Sequence, residues 1–95
     1  MKLVYLRTAL RDLLWVRAYY ERVFREGAAG ARQSVRRMET LVMDNPFVGR
    51  PTHRPEVKKL LITRTPFFVL YRPTAERIEI LRVIDGRSLD GMGDE

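Results

Sequence analysis

The C-terminal run from Arg64 to Ser88, RTPFFVLYRPTAERIEILRVIDGRS, constrains the fold most because it holds two dense strand patterns. Phe67 to Arg72 and Arg77 to Ile84 are rich in β-branched and aromatic residues, and Pro73 to Glu76 predicts a turn between them. The apolar residues of the second pattern fall on both faces of an alternating strand. This is expected of a strand that is covered on both sides or lies in the interior of a sheet.

A further strand pattern, Val57 to Thr63, precedes this run. The residues Arg64-Thr65-Pro66 join it to the next strand and fit a hairpin. Before it, Phe47 to Pro55 reads FVGRPTHRP, in which glycine and proline indicate a structured loop. The second half of the chain therefore predicts a three-strand antiparallel meander.

The first half of the chain is helical apart from a short strand pattern, Lys2 to Leu6. Thr8 is placed as the N-cap of a helix that begins near Ala9. Gly27 to Gly30 breaks this helix, and Asp44-Asn45-Pro46 ends a second one. The apolar stripes of the two helices are Ala9, Leu13, Val16, Tyr20 and Val23, then Ala31, Val35, Met38 and Val42.

The order of elements is thus β-α-α-β-β-β, which predicts an α+β fold with a mainly antiparallel sheet covered on one face by a helical hairpin. With 95 residues the chain suffices for a single domain, residues 1–95, and is too short for a second core. Residues 88–95 lack a periodic apolar pattern and end acidic, so we expect a loose tail.

The composition excludes several classes of site. The chain has no cysteine, which removes disulfides, thiolate catalysis and cysteine-ligated zinc. His53 is the one imidazole, so a metal site would need carboxylates. We expect no metal and no cofactor. No apolar run approaches membrane-spanning length or fits a secretion signal, and we therefore expect a cytoplasmic protein with no membrane partner. The net charge of +6 favours anionic partners, either nucleic acid or an acidic protein.

Basic residues supply the candidate binding positions. The charge excess is steepest around the loop and first strand of the meander, and Arg72 and Arg87 follow at the ends of later strands. We expect Lys58, Lys59, Arg64 and Arg87 to approach one side of the sheet. His53 fits a solvated loop residue better than a general base. The full set of target-binding candidates is Arg54, Lys58, Lys59, Arg64, Arg72 and Arg87.

Two further features concern side-chain packing. Arg82 and Asp85 are predicted to form a local ion pair that orders the Asp-Gly-Arg turn, with Gly86 at positive φ. Trp15 and Tyr19 lie away from the centre of the first apolar stripe, so they either widen the core or contact a partner.

The order of elements and a set of motifs together resemble the RelE/ParE toxin superfamily of type II toxin-antitoxin systems, closest to its ParE-like members. The motifs are the DLxxVRxYY-like pattern of Asp12 to Tyr20, NPFVGRP at Asn45 to Pro51, RTPFFVLYR, and IEILRVIDGR. The resemblance implies a small toxin that a cognate antitoxin neutralises by wrapping an acidic C-terminal segment around it. The pair then binds operator DNA through the antitoxin. An apolar groove left by the helical hairpin against the sheet would seat an antitoxin helix.

Within the superfamily, RelE-like members cleave mRNA on the ribosome and ParE-like members poison DNA gyrase. By resemblance, Lys59 and Arg87 match a strand lysine and a C-terminal arginine of the ribonucleases. Phe68 and Leu61 instead stand where those enzymes carry basic residues, and the tail lacks a terminal catalytic tyrosine or histidine. The resemblance therefore favours a gyrase inhibitor without an active site. An mRNA endonuclease using Lys59 and Arg87, or a non-toxic binding module, are the alternatives.

Overall fold

A computed structural model describes residues 1–88 of the chain. The elements follow the predicted order, with the addition of a two-residue strand in the loop and two short 3₁₀ turns, Arg25–Gly27 and Gly86–Ser88. The predicted tail at 88–95 lies, from residue 89 on, outside the described residues. The helices and strands are β1 (Lys2–Tyr5), α1 (Arg7–Val23), α2 (Ala28–Asp44), β2 (Arg50–Pro51), β3 (Lys58–Leu61), β4 (Phe67–Pro73) and β5 (Arg77–Asp85).

The sheet has the strand order β1-β5-β4-β3-β2, so β5 lies in its interior, as its apolar pattern predicts. β1 runs parallel to β5, and the other pairs are antiparallel. Both helices pack on one face, around a core that includes Ala9, Tyr20, Met38, Val42, Val69, Tyr71, Ile78 and Ile80. The α+β fold is confirmed.

A β-bulge explains part of the apolar pattern of β5, in which apolar residues fall on both faces of a simple alternation. Tyr71 pairs with Ile80 and Leu70 with Arg82, so Leu81 is the extra residue. The bulge shifts the alternation by one residue, and Ile80 and Val83 are both buried in the core. The odd spacing therefore keeps one apolar face continuous.

The helix starts differ from the sequence prediction in two places. Thr8 does not cap α1, because the chain passes from sheet to helix without a capping turn: the Leu6 N–H donates to Ile80 O at 3.0 Å, and Leu6 O accepts from the Leu10 N–H at 2.9 Å. The second helix begins at Ala28, so Gly30 lies inside it. Gly27 lies in the preceding 3₁₀ turn between the helices, where a Cβ would lie 2.4 Å from the Phe24 ring.

Asp12 links α1 to the C-terminal part of β5, beyond the residues that pair with β1. β1 pairs with β5 only as far as Ile80. Beyond that point, Oδ2 of Asp12 accepts from the Val83 N–H at 2.9 Å and from Arg82 Nε at 2.8 Å. A helix carboxylate therefore satisfies a strand N–H that would otherwise lack a partner. The predicted Arg82–Asp85 pair is wrong, since Arg82 is held across the chain by Asp12.

Tyr71 joins the proline-rich loop to the sheet. Its hydroxyl donates to Pro46 O at 2.9 Å and accepts from the Gly49 N–H at 2.8 Å, while its ring is fully buried. A Cβ on Gly49 would lie 2.8 Å from this hydroxyl, so only glycine fits there. The NPFVGRP and LYR motifs are thus two halves of one structural contact.

Candidate binding surfaces

A groove between α1 and α2 forms a concavity with a volume of about 630 Å³. Every side chain that lines the groove comes from the two helices, so the groove lies between α1 and α2. The sequence had instead predicted a groove between the helical hairpin and the sheet. Its walls are largely apolar, and Leu10 and Leu14 on α1 are 51% and 65% exposed. We call this the helical groove; it is lined by Leu10, Leu13, Leu14, Val16, Arg17, Tyr20, Glu21, Ala28, Ala31, Arg32, Val35, Arg36 and Glu39.

The rim of the helical groove carries an excess of available positive charge. Arg17 pairs with Glu21 at 3.7 Å, and Glu39 accepts a hydrogen bond from the Tyr5 hydroxyl at 2.6 Å. Arg32 and Arg36 form no ion pair within residues 1–88 and are exposed. Leu10 and Leu14 were not predicted as site residues. Their i, i+4 spacing beside the main stripe is the signal of a second apolar flank.

The structure does not bring the basic candidates to one side of the sheet. Lys58 and Lys59 are consecutive in β3, so their side chains project to opposite faces. Lys58 lies opposite Tyr71 in the neighbouring strand, on the helix-covered face of the sheet. Its Nζ atom lies 5.7 Å from the centroid of the exposed Phe47 ring. Lys59 lies over the Phe68 ring at 5.4 Å, on the open face.

Arg72 lies on the open face, beside a buried carboxylate. Glu79, 8% exposed, accepts from Arg72 Nη2 at 2.6 Å and from Arg77 Nε at 2.8 Å. These hydrogen bonds, first from Arg72 and then from Arg77, lower the pKa of Glu79 below its ordinary value. Arg72 and Arg77 therefore share the carboxylate of Glu79.

The remaining loop candidates are separate from one another. Arg54 pairs with Glu56 at 3.4 Å on the exposed loop, where His53 is also exposed, in keeping with a solvated side chain. Arg64 occupies the turn between β3 and β4 with φ of 67°, a left-handed conformation that is uncommon outside glycine. This turn stands next to Phe67, which contacts α1.

Arg87 is held on the helical side of the molecule. Its Nε and Nη2 atoms donate to Asp85 at 3.0 and 2.9 Å, and its Nη1 donates to the Tyr19 hydroxyl at 3.3 Å. The hydrogen bond from Arg87 lowers the pKa of Asp85, and Asp85 and Tyr19 raise the pKa of Arg87. Gly86 does not adopt the predicted positive φ. It is required for space, since a Cβ there would lie 2.6 Å from the Phe68 ring.

Tyr19 extends the core, whereas Trp15 leaves an exposed ring beside it. Tyr19 is half-buried and meets Phe67 edge-on at 5.9 Å, which extends the core. Trp15 is 55% exposed and stacks on Tyr19 with ring centroids 5.9 Å apart. Arg87 covers Tyr19 with its guanidinium carbon 5.3 Å from the ring centroid. We call Trp15, Tyr19 and Arg87 the aromatic stack.

Within residues 1–88, no group of three or more His, Cys, Asp or Glu side chains is arranged to hold a metal ion. Neither helix of that same segment is long and apolar enough to cross a membrane.

Comparisons with known proteins agree with this architecture. Residues 3–89 match the family described as the ParE toxin of the type II toxin-antitoxin system, parDE. A solved structure, a chromosomal ParDE toxin-antitoxin system from P. aeruginosa, is 30% identical in sequence with a TM-score of 0.72, and the match covers 90% of this chain and 95% of that chain. A comparison with curated proteins gave no match. The chain therefore belongs to the ParE toxin family of type II toxin-antitoxin systems, within the RelE/ParE superfamily.

Proposed function

We propose that this toxin inhibits DNA gyrase by binding it, without an active site of its own, and that a cognate antitoxin neutralises it in the cytoplasm. The observation that carries the proposal is the separation of Lys59 from Arg87. Lys59 projects from the open face of the sheet, whereas Arg87 packs on Tyr19 of α1 on the helical side.

This separation argues against ribonuclease chemistry. A metal-independent ribonuclease needs clustered cations around one scissile phosphate, together with a group that transfers the proton. Phe68 lies beneath Lys59 in place of a second cation, and Asp85 already takes two hydrogen bonds from the Arg87 side chain. A surface of this kind is better suited to holding a protein than to stabilising a transition state.

The helical groove is the proposed seat of the antitoxin. Its apolar walls and its length along two helices fit the apolar face of an amphipathic helix. Arg32 and Arg36 on its rim would pair with acidic side chains that flank that face. The bound pair would contact operator DNA through the antitoxin.

Purified toxin free of antitoxin tests the target directly. We expect it to inhibit gyrase supercoiling or to trap cleaved DNA, and to leave mRNA intact on translating ribosomes. Cleavage of mRNA in the ribosomal A site with gyrase unaffected would favour the RelE-like alternative. Absence of both effects, together with normal growth on expression, would indicate a non-toxic binding module.

Arg87→Ala tests the proposed target contact in cells. We expect weaker growth inhibition with the fold intact, because Arg87 is exposed and its side chain bonds to Asp85 and to the Tyr19 hydroxyl at the surface. Arg37→Ala is the matched control, since Arg37 is equally a surface arginine and lies outside the groove. Unchanged toxicity of Arg87→Ala at matched expression would remove Arg87 from the mechanism.

A further inference from the structure

The aromatic stack occupies the flank of α1 opposite the helical groove. Trp15 and Tyr19 are one helical turn apart, and their rings are nearly parallel, with an angle of 16° between them. Leu10 and Leu14 project from the other flank into the groove. A single helix therefore presents two separate surfaces, one on each side of its buried stripe.

Each side chain of the stack already packs on a neighbour before any partner binds. Phe67, which is buried, contacts both Trp15 and Tyr19 edge-on, at 6.1 and 5.9 Å between ring centroids. Asp85 fixes the Arg87 guanidinium against Tyr19. Side chains that are already ordered lose little entropy on binding, and Trp, Tyr and Arg are the residues that most often dominate the energy of protein interfaces.

Positive charge flanks the stack on both sides. Arg11 lies four residues before Trp15 and Arg22 three residues after Tyr19, so both are neighbours on the same flank of the helix. Neither arginine forms an ion pair in the part of the chain described, and both are exposed. The carboxylate of Asp12, on this flank, is held by Arg82 and Val83. The available charge is therefore positive.

We infer that the aromatic stack, flanked by Arg11 and Arg22, is the surface with which the toxin holds an acidic patch on its protein target. This inference rests on the proposed function, which makes the target a protein. A single-stranded nucleic acid fits less well. The Trp15 and Tyr19 rings are too close together to admit a base between them. The Nε and Nη2 atoms of Arg87 already donate hydrogen bonds to Asp85, so they are not available to a phosphate.

Matched charge reversals on the two flanks of the hairpin test the inference. The variant Arg11→Glu/Arg22→Glu alters the stack, and Arg32→Glu/Arg36→Glu makes the same change of net charge at the groove. We expect the first pair to reduce growth inhibition and to slow association with gyrase about tenfold or more, with antitoxin affinity unchanged. The second pair should weaken antitoxin binding and leave toxicity intact.

Trp15→Ala supplies a test that does not depend on charge. We expect binding to gyrase to weaken by at least about 30-fold, as for an interface anchor. Leu14→Ala, at the adjacent and similarly exposed position on the groove side, should leave gyrase binding unchanged. Far-ultraviolet circular dichroism and thermal melts check that each variant folds. Because Trp15 is the one tryptophan in the chain, 5-fluorotryptophan gives a single ¹⁹F signal for this surface.

The outcomes separate this inference from the proposed target. If wild-type toxin does not bind gyrase but Arg11→Glu/Arg22→Glu and Trp15→Ala abolish growth inhibition, the gyrase proposal fails and the surface assignment stands. If both variants fold and are as toxic as the wild type, the inference is wrong whatever the target is. A change of the ¹⁹F signal on titration with a single-stranded DNA oligonucleotide, and none with gyrase, also overturns it.

Discussion

Replacing Asp12 by alanine should destabilise the fold by about 2–3 kcal/mol, although Asp12 lies on a surface helix. The change leaves the Val83 N–H, which is partly buried, without its acceptor, at a cost of about 1–3 kcal/mol. It also removes the ion pair with Arg82. Because the Arg82 side chain is 45% exposed, solvent screening limits that contribution to about 0.2–1 kcal/mol. Most of the lost stability therefore comes from the strand N–H.

Equilibrium denaturation in urea, followed by circular dichroism, measures the loss. For a domain of this size, a loss of about 2–3 kcal/mol also lowers Tm by roughly 10–20 °C. Two further variants show how much of the lost stability comes from the Val83 N–H and how much from the ion pair with Arg82. Asp12→Asn keeps an oxygen acceptor for Val83 and should cost about 1 kcal/mol. Arg82→Ala removes only the ion pair and should cost less than about 1 kcal/mol.

The decisive result is the order of the three variants by their loss of free energy of unfolding. If Arg82→Ala costs as much as Asp12→Ala, the ion pair dominates, which refutes the leading role given to the Val83 N–H. If Asp12→Ala costs under about 0.5 kcal/mol, as an ordinary surface substitution does, α1 is not anchored to β5 through this carboxylate.

Other substitutions are expected to change stability through particular contacts. Tyr71→Phe should cost about 1–3 kcal/mol, because it leaves the buried Gly49 N–H and the Pro46 carbonyl without their shared partner; urea denaturation measures it. Gly49→Ala should destabilise by about 1–3 kcal/mol through overpacking, whereas Gly30→Ala, in an open position of α2, should stabilise by about 0.5–1 kcal/mol; equal thermal shifts would contradict this. The pKa of Glu79 is lower in the folded than in the unfolded state, so its contribution is complete above the pKa of an unfolded glutamate and is lost as pH falls through the lowered pKa of the folded state. Over the acid range, the free energy of unfolding should therefore depend less steeply on pH in Glu79→Gln than in the wild type. An equal dependence on pH would show that Glu79 does not contribute.

Much of the architecture was open to prediction because it depends on local pattern. β-Branched and aromatic runs interrupted by proline mark β3, β4 and β5, and apolar spacing marks both helices. The interior position of β5 was also predictable from its dense apolar content. The bulge at Leu81 adds to this explanation, because it places Ile80 and Val83 on the same face, while Ile84 pairs with Phe68 on the open face.

The binding surfaces were less predictable. Side-chain direction within β3 separates Lys58 from Lys59, and the packing of Arg87 on Tyr19 places Arg87 on the opposite side of the sheet from Lys59. Similarly, Arg82 lies three residues from Asp85 in sequence but pairs with Asp12. Both predictions were wrong because side-chain direction in the strands and the packing of α1 decide which charges meet.

The sequence by itself determined the α+β class, the order of the elements and the family resemblance, since these follow from periodicity, turn residues and motif spacing along the chain. Only the tertiary structure decided that Asp12 completes the hydrogen bonding of β5, that the Tyr71 hydroxyl holds the proline-rich loop, and that α1 presents a groove on one flank and an aromatic stack on the other. Each of these depends on residues distant in sequence meeting at ångström precision. No local pattern specifies such a meeting, because it is set by how the helices and the sheet pack together.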